Sequence, residues 1–453
     1  MKRSAILSDF FSNLSAYKDR RILNIFLFGI ASGFPWIMIG SAMSAWLKDE
    51  SLSRSAIGLF GLIFTAYSIT FLWSPLLDRI RLPFLGLRRG WIICMQICIV
   101  VACLFMGQLN VQEQLYLMAA TGLFIALCSA TQDIAIDAFR VDSIASGEKD
   151  KMSAASAMAT AGWWTGYGGL GAIPFWLADS PAWSWGEVYW VLAGIMSVFI
   201  VITLLAKEPD VDRDSEIQLS TNLYQNALGN GAVTAWQKLS VWILVSVVEP
   251  FREFFVRNGV RFALSVLMFI FIFKMGEAFL GRMSIVFYRE IGFSNADIGT
   301  YSKLLNWWVT IIFSVIGGLV NIKYGVFKGL MISGVTMALS NLMFAVIAQV
   351  GPSKELLVAA VFIDGFTAAW SSVALVAFIS LMCNRAFSAT QYALMASLGV
   401  LGRTFLASSS GVIVDAMDGN WTAFFILTAL MVIPSLLFLW SIRHDIARLE
   451  AKQ

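Results

Sequence analysis

The chain has 453 residues, of which 58% are hydrophobic and only 13% are charged, and its mean hydropathy is +0.75. A water-soluble domain carries about a quarter charged residues, so this composition excludes a soluble globular protein and indicates that lipid surrounds most of the chain. The net charge of +3 is nearly neutral, and no basic stripe with interleaved aromatic residues points to nucleic acid.

The N-terminal segment, residues 1–21, lacks the apolar core and the small-residue cleavage site of a signal peptide. We expect an amphipathic lead-in to a first membrane span. The five cysteines all lie inside apolar runs, where we expect small apolar helix residues. With a single histidine, His444, the sequence predicts no metal site.

Twelve segments approach the roughly 20 mostly apolar residues that a spanning helix needs. Numbered in chain order, the predicted spans cover about 22–46, 56–78, 91–108, 114–138, 154–177, 187–206, 260–287, 297–321, 329–350, 356–382, 390–415 and 422–442. The sequence thus predicts an all-α membrane protein with two six-helix bundles, 1–206 and 260–453. The polar connector 207–259 joins them.

The connector contains a short apolar stretch, Leu239–Phe255, which is interrupted by Glu249-Pro250. Proline disfavours helical backbone at the residue before it. We therefore predict an interfacial helix in this stretch rather than a thirteenth span.

Basic residues are distributed unequally between the two sides of the predicted spans. About 24 lie on the side of the two chain ends and the long connector, and about four on the other, which by the positive-inside rule makes the first side cytoplasmic. The two halves also share a short sequence similarity, because Ile57-Gly58 and Ile298-Gly299 begin equivalent spans. Two six-helix halves in parallel repeat are the plan of the major facilitator superfamily.

Ionisable residues inside the spans are functional candidates, since each is costly unless it faces a cavity or a partner. Asp133 and Asp137 lie four residues apart, on one face of span 4. Removal from water favours the protonated form of a carboxyl group, so either acid could carry a proton. Alternatively, Asp137 pairs with Arg79 or Arg140 and holds one face of the protein closed.

The second half carries its own interior charges. Lys274 and Glu277 lie three apart in span 7 and form either a pair that breaks during transport or a permanent salt bridge. Asp364 and Arg403 either pair with each other or point into a cavity, and Arg282 is close enough to the outer end to reach the interface.

The connection between spans 2 and 3 reads Trp73-Ser74-Pro75-Leu76-Leu77-Asp78-Arg79 and continues with Leu85-Gly86-Leu87-Arg88-Arg89-Gly90. It resembles, with expanded spacing, the superfamily signature in which an aspartate and arginines latch the cytoplasmic side. We therefore predict a cytoplasmic gate, with a generic basic loop as the alternative. The gate residues are Asp78, Arg79, Arg89, Asp137 and Arg140.

Aromatic residues within the spans could stack on the apolar faces of sugar rings, although packing and lipid contact are commoner causes. They are Trp36, Trp163, Trp164, Tyr167, Trp307, Trp308 and Trp370. Five glycines in span 5, from Gly162 to Gly171, allow close helix approach, which either moving bundles or static packing requires.

The run 129–142, SATQDIAIDAFRVD, closely resembles the signature of AmpG-type muropeptide permeases, and the acetyl-CoA transporters share a related form. Further similarity extends over almost the whole chain. It includes Pro83-Phe84-Leu85-Gly86, Leu205-Ala206-Lys207-Glu208-Pro209 and Lys274-Met275-Gly276-Glu277. The chain departs from the family pattern at Glu277, where that pattern has aspartate, so the resemblance does not fix the local pairing geometry or the peptide preference.

The resemblance implies a monomeric major facilitator of the bacterial inner membrane, with both termini cytoplasmic. It would import N-acetylglucosaminyl-1,6-anhydro-N-acetylmuramyl peptides by proton symport for cell-wall recycling, which in some bacteria also feeds β-lactamase induction and so antibiotic resistance. It implies no cofactor beyond the proton gradient. We expect proton coupling at Asp133, Asp137 and Glu277. Expected substrate-binding residues are Gln132, Asp133, Trp36, Trp163, Tyr167, Lys274, Glu277, Trp307, Asp364 and Arg403.

Other functions have less support in the sequence. A carrier of an acetyl-CoA-like nucleotide needs a denser basic cavity than Lys274, Arg282 and Arg403 supply. A membrane enzyme needs a nucleophile–base pair or a metal set, and a sensor usually carries a soluble output domain. None of these features is in the sequence, and the absence of a Walker A motif argues against ATP as the energy source.

Overall fold

The computed structural model describes residues 14–52, 60–82, 85–145, 147–211, 214–227, 235–293, 305–407 and 409–452. Within these ranges the regular structure is helical, apart from an isolated bridge between Leu82 and Gly86. Most of the N-terminal lead-in, the paired segments around Ile57-Gly58 and Ile298-Gly299, and Pro83-Phe84 lie outside the described residues.

Ten helical stretches in the described ranges are long and apolar enough to cross a membrane. They correspond to predicted spans 1, 3, 4 and 6–12. Their bounds are Arg20–Asp49, Arg88–Met106, Leu115–Ser143, Trp185–Leu205, Val260–Ile291, Asn306–Tyr324, Val326–Val350, Lys354–Met382, Arg385–Ala416 and Trp421–Ser441.

Spans 2 and 5 are present as series of short helices rather than as single long ones. Proline lacks a backbone donor and glycine has a low helix propensity, and Pro75, Pro174 and the Gly168-Gly169 pair lie at or near the interruptions. Span 2 consists of Gly61–Ser68, Thr70–Leu72 and Ser74–Arg79. Span 5 consists of Lys149–Trp164, Thr165–Gly169, Leu170–Ala172 and Ile173–Ala178. With these two, the twelve spans form two six-helix bundles.

The first span of each half is broken near its middle. Span 1 changes helix at Phe34, directly before Pro35, and continues as Pro35–Ile39 and Ser41–Asp49. Span 7 changes helix at Lys274, between Val260–Phe273 and Met275–Ile291. Breaks in spanning helices free backbone groups at membrane depth, which is tolerated where the protein interior or a cavity can satisfy them.

Spans 1 and 5 approach each other through glycines. A side-chain carbon on Gly162 would lie 3.0 Å from the Cα of Gly29 and 3.1 Å from the backbone nitrogen of Ile30. Gly166 has the same relation to span 1, at 3.0 Å from the backbone nitrogen of Phe34. The glycines predicted from the sequence therefore bring two backbones into contact, which larger residues would prevent.

The connector between the halves contains the helices Asp214–Ala227 and Ala235–Ile243, a π turn at Leu244–Val248 and the helix Glu249–Asn258. Glu249 is helical, so the prediction that Pro250 interrupts the helix there is wrong. The wider π turn directly before it provides room for the proline ring, which otherwise clashes with the carbonyl four residues earlier.

Replacing Gly162 by valine should destabilise the protein, because the new side chain has no space between spans 1 and 5. Overpacking of this kind costs about 1–3 kcal/mol. The matched control is Gly194→Val in the helix Trp185–Leu205, where an added carbon meets nothing within 4 Å. Thermal unfolding in detergent should show a lower Tm for Gly162→Val than for the control, and equal values would contradict the packing described here.

Candidate functional site

Both ends of the described chain, Leu14 and Lys452, lie at the same end of the spans, which we call the terminal face. The connections between spans 2 and 3, 4 and 5, 6 and 7, 8 and 9, and 10 and 11 also lie there. The opposite end of the spans is called the outer face.

Arg88 lies fully buried at the terminal face between two carboxylates. Its Nη2 is 2.6 Å from Asp78 Oδ1 and its Nε is 2.7 Å from Asp142 Oδ2, and all three side chains are at most 1% exposed. Its Nη1 donates to the carbonyl of Leu77 at 2.9 Å. Removing either carboxylate would leave buried charge uncompensated, which is strongly destabilising.

The same two carboxylates bind the beginning of span 11 in the other half. Asp78 accepts from the backbone nitrogens of Ala389 (3.1 Å) and Thr390 (2.8 Å) and from the Thr390 hydroxyl (2.7 Å). Ser388 donates to Asp142 at 2.8 Å. The first N–H groups of a helix lack intrahelical partners and favour negative charge, so these carboxylates cap span 11 and hold the halves together.

A second contact between the halves lies beside the first. Arg140 pairs with Asp137 at 2.6 Å, which is one of the two partners that the sequence left open for this acid. The Arg140 guanidinium also lies 5.0 Å from the ring centre of Tyr392 in span 11 and donates to Ser380 in span 10 at 3.3 Å. In this conformation Asp137 therefore belongs to the contact that closes the terminal face.

The remaining predicted gate residues lie elsewhere on this face. Arg79 donates through Nε to the Ser246 hydroxyl of the connector at 3.0 Å. Arg89 donates to the carbonyls of Thr203 and Leu204 at the end of span 6, in its own half. It therefore braces the first bundle and does not reach the second.

A short N-terminal helix, Leu14–Lys18, forms another contact between the halves. The Tyr17 hydroxyl donates to the carbonyl of Val315 in span 8 at 3.0 Å, across the halves. Arg21 binds both Asp19 and Glu148, at 2.6 and 2.9 Å. Hydrogen bonds from Arg21, and to a smaller extent from Lys151, lower the pKa of Glu148 to about 2. The Glu148 carboxylate therefore stays ionised at neutral and mildly acidic pH.

Two further contacts join the halves near mid-depth. Thr70 and Ser397 share a hydrogen bond of 2.7 Å, and the Trp307 indole donates to the carbonyl of Trp164 at 3.1 Å. Between described residues, all hydrogen bonds that join the halves lie from this level to the terminal face. The terminal face is thus closed by contacts between the halves.

The first half places a polar centre beside the break in span 1. Asp133 is half-buried and accepts a hydrogen bond from Ser32 at 2.7 Å. Gln132 is fully buried and donates to the carbonyl of Ala31 at 2.8 Å. Four buried polar atoms here have no hydrogen-bond partner among the described residues: Trp36 Nε1, Tyr67 Oη, Ser129 Oγ and Gln132 Oε1.

Aromatic rings adjoin this centre. Trp36 packs against Tyr67 and Trp163, with centroids at 4.5 and 5.6 Å. Trp163 stacks on Tyr167 at 5.1 Å with planes 23° apart. Phe64 completes this aromatic cluster, at 4.8 Å from Trp36. Half-buried stacked rings with unused polar atoms nearby suit a ligand that has both apolar faces and hydroxyl or amide groups.

Trp307, a predicted binding residue, has a different environment. Its indole N–H is bonded to Trp164, and its ring fills the space left by Gly168 and Gly169. The structure places it in the packing between spans 5 and 8.

The second half places its charges beside the break in span 7. The Lys274 ammonium binds Glu277 at 2.5 Å and Ser371 Oγ at 2.6 Å, and reaches the carbonyl of Ala368 at 3.3 Å. All three donors of Lys274 are therefore used, and its side chain is only 5% exposed. Glu277 is 24% exposed and keeps an accessible edge.

Asp364 and Arg403 do not pair with each other. Asp364 is half-buried and accepts from Ser340 at 3.1 Å. Arg403 is exposed, and no carboxylate in the described part of the chain lies within salt-bridge distance of it. Arg282 is likewise exposed, nearer the outer end of span 7.

Sequence reasoning did not single out Arg88 and Asp142, which hold the halves together at the terminal face. Arg88 looked like one more basic loop residue, and Asp142 is the last residue of the conspicuous run 129–142. A buried arginine needs more than one acceptor. Asp78 and Asp142, which lie at the same end of their spans as Arg88, could therefore have been recognised in the sequence as its partners. Across the described residues, no group of three or more His, Cys, Asp or Glu could hold a metal ion.

The Major Facilitator Superfamily profile matches residues 25–305 of the chain. Solved structures support the same fold: FucP in the outward conformation has a TM-score of 0.63, with 14% identity over 94% of this chain and 99% of that one. The proton:xylose symporter XylE has a TM-score of 0.61, with 15% identity over 96% of each chain. The chain belongs to the major facilitator superfamily and is a multi-pass membrane transporter.

Curated relatives narrow the assignment. The chain is 32% identical to the anhydromuropeptide permease of Escherichia coli strain K12, over 96% of this chain and 82% of that protein. It is 31% identical to the Rickettsia felis protein designated AmpG 4, over 93% of this chain and 96% of that protein. Within the superfamily, the chain is therefore one of the AmpG-type permeases, which are transporters and not enzymes.

Replacing Asp78 by alanine should open the terminal face, because it removes three hydrogen bonds to span 11 and one partner of Arg88. At about 1 kcal/mol for each hydrogen bond, the open population should rise by about tenfold or more. The buried thiol of Cys383 lines a small cavity between the halves and can report this opening. Its alkylation by N-ethylmaleimide should accelerate, as measured by peptide mass spectrometry.

The control is Asp150→Ala, which removes an exposed carboxylate from the same face. Equal alkylation of Cys383 in both variants would contradict the role of Asp78 in closing this face.

Proposed function

We propose that the chain imports N-acetylglucosaminyl-1,6-anhydro-N-acetylmuramyl peptides from the periplasm to the cytoplasm of a bacterium, by alternating access and at the expense of the proton gradient. The observation that carries the proposal is the pair of polar centres near the middle of the spans, one in each half. Asp133 and the aromatic cluster lie beside the break in span 1, and the Lys274–Glu277 ion pair lies beside the break in span 7. The name of the Escherichia coli relative supplies the substrate class.

The terminal face is cytoplasmic in this proposal, since about 24 basic residues lie on that side and about four on the other. The structure then corresponds to a carrier that is closed to the cytoplasm. The connector 207–259 lies on the cytoplasmic face, where exposed Trp236 and Trp242 would anchor an interfacial helix.

Asp133 is the proposed proton carrier. It accepts a hydrogen bond from Ser32, and no cation lies within salt-bridge distance of it in the part of the chain that the structure describes. A carboxyl group without a cation can be neutralised by a proton. Asp137 and Glu277 have cationic partners, Arg140 and Lys274, so protonation of either would first weaken an ion pair.

The aromatic cluster is the proposed sugar site. A pyranose ring has an apolar face that stacks on Trp163 or Tyr167. Polar atoms of Trp36, Tyr67 and Gln132 that lack a hydrogen-bond partner among the described residues can bind hydroxyl and acetamido groups. Transport by a major facilitator needs no further cofactor, and we propose that this chain uses none and acts as a monomer.

Asp133→Asn should abolish accumulation of labelled anhydromuropeptide that is driven by a proton gradient in proteoliposomes, because asparagine cannot carry the proton. Exchange of labelled for unlabelled substrate without a gradient should persist, which shows that the variant is folded and binds substrate. The control is Asp179→Asn, at an exposed position on the outer face. Undiminished accumulation by Asp133→Asn would remove this residue from the coupling role.

A further inference from the structure

Most interior cations of the described chain are already neutralised by the protein itself. Arg88 lies between two carboxylates, Arg140 pairs with Asp137, and Lys274 pairs with Glu277. The side chains of these three cations are at most 5% exposed. None of them can bind an incoming anion without first losing a partner.

Arg403 differs in both respects. It is exposed, it lies mid-span, and the described residues place no carboxylate within 4.0 Å of its guanidinium. An unpaired guanidinium at membrane depth is costly unless it faces water or a ligand. Glu277, the acid that acts on it electrostatically, is held by Lys274.

The helix Ser388–Ala407 orients Arg403 toward the axis between the halves. Phe405 is 74% exposed, and at about 100° per residue it projects roughly 160° away from Arg403. Tyr392 lies eleven residues before Arg403, about three turns along nearly the same face, and contacts Arg140 of the other half. Arg403 therefore faces the central space, about 16 Å from this gate contact along the helix.

Neighbouring contacts place Arg403 beside the second polar centre. Gly402 packs against the backbone of Phe271 and Gly399 against Ile270, a few residues before Lys274 in span 7. Arg403 thus adjoins the Lys274–Glu277 pair on the side of the C-terminal half, and the aromatic cluster belongs to the N-terminal half.

We propose that Arg403 is the specificity-determining residue that binds a carboxylate of the stem peptide of the substrate. This inference rests on the proposed function. In an anhydromuropeptide the muramyl carboxyl group is amide-linked to the peptide, so the disaccharide is neutral and the negative charges are stem-peptide carboxylates. A guanidinium binds a carboxylate with two parallel hydrogen bonds, a geometry that an ammonium cannot supply. The neutral sugars then contact the aromatic cluster while the charged peptide extends to Arg403.

The test compares an anhydromuropeptide with the same compound whose stem carboxylates are all converted to carboxamides. In proteoliposomes, the wild-type protein should show a KM for the acid about 10- to 100-fold below that for the amide, the range expected for a charge-assisted hydrogen bond. Arg403→Gln should raise the KM for the acid by a similar factor and leave the KM for the amide unchanged. Arg403→Lys should restore only part of the discrimination.

Transport of the amide serves as the internal check on folding, and Arg282→Gln is the matched control for loss of an exposed arginine from a neighbouring span. A role for Arg403 in pairing with Glu277 alone predicts equal changes for acid and amide, and that result, or no change for either compound, overturns the inference. If the wild-type protein transports neither compound, the proposed function itself fails.

Discussion

The burial of Arg88 between Asp78 and Asp142 is the interaction on which this conformation depends. A guanidinium without water requires both carboxylates, and the carboxylates in turn satisfy the free N–H groups at the beginning of span 11. Because Asp78 and Asp142 belong to one half and span 11 to the other, this charge arrangement holds the bundles together at the terminal face.

The two polar centres depend on a second constraint, which is the break in the first span of each half. At Pro35, which has no backbone donor, and at Lys274 the regular helical hydrogen bonding is interrupted, and polar side chains lie beside both breaks. The two centres are not equivalent. The first combines Asp133 with stacked aromatic rings. The second combines the Lys274–Glu277 ion pair with Arg403, for which the described residues supply no carboxylate partner. A proton, a sugar and a carboxylate would thus each have a separate place at one depth.

Local patterns in the sequence were sufficient to predict most spans, the interior position of Asp133 and the pairing of Lys274 with Glu277, because hydropathy and the i,i+3 spacing are properties of a single helix. The contacts that join the halves could not be predicted in this way. Tyr17 meets Val315 and Asp78 meets Thr390 across some 300 positions of the chain. The interruption of spans 2 and 5 was missed because hydropathy does not report helix continuity, and the π turn before Pro250 has no simple sequence signal.

Distances between pairs of spin labels on each face, measured by double electron–electron resonance, test alternating access most directly. In a variant with its five cysteines replaced, one label pair would occupy exposed Asp150 and Arg448 on the terminal face, and a second pair Glu113 and Glu355 on the outer face. Added anhydromuropeptide at acidic pH should lengthen the first distance and shorten the second, and Asp78→Ala should do the same without substrate. Distances that stay fixed, or that change in the same direction on both faces, would contradict the account.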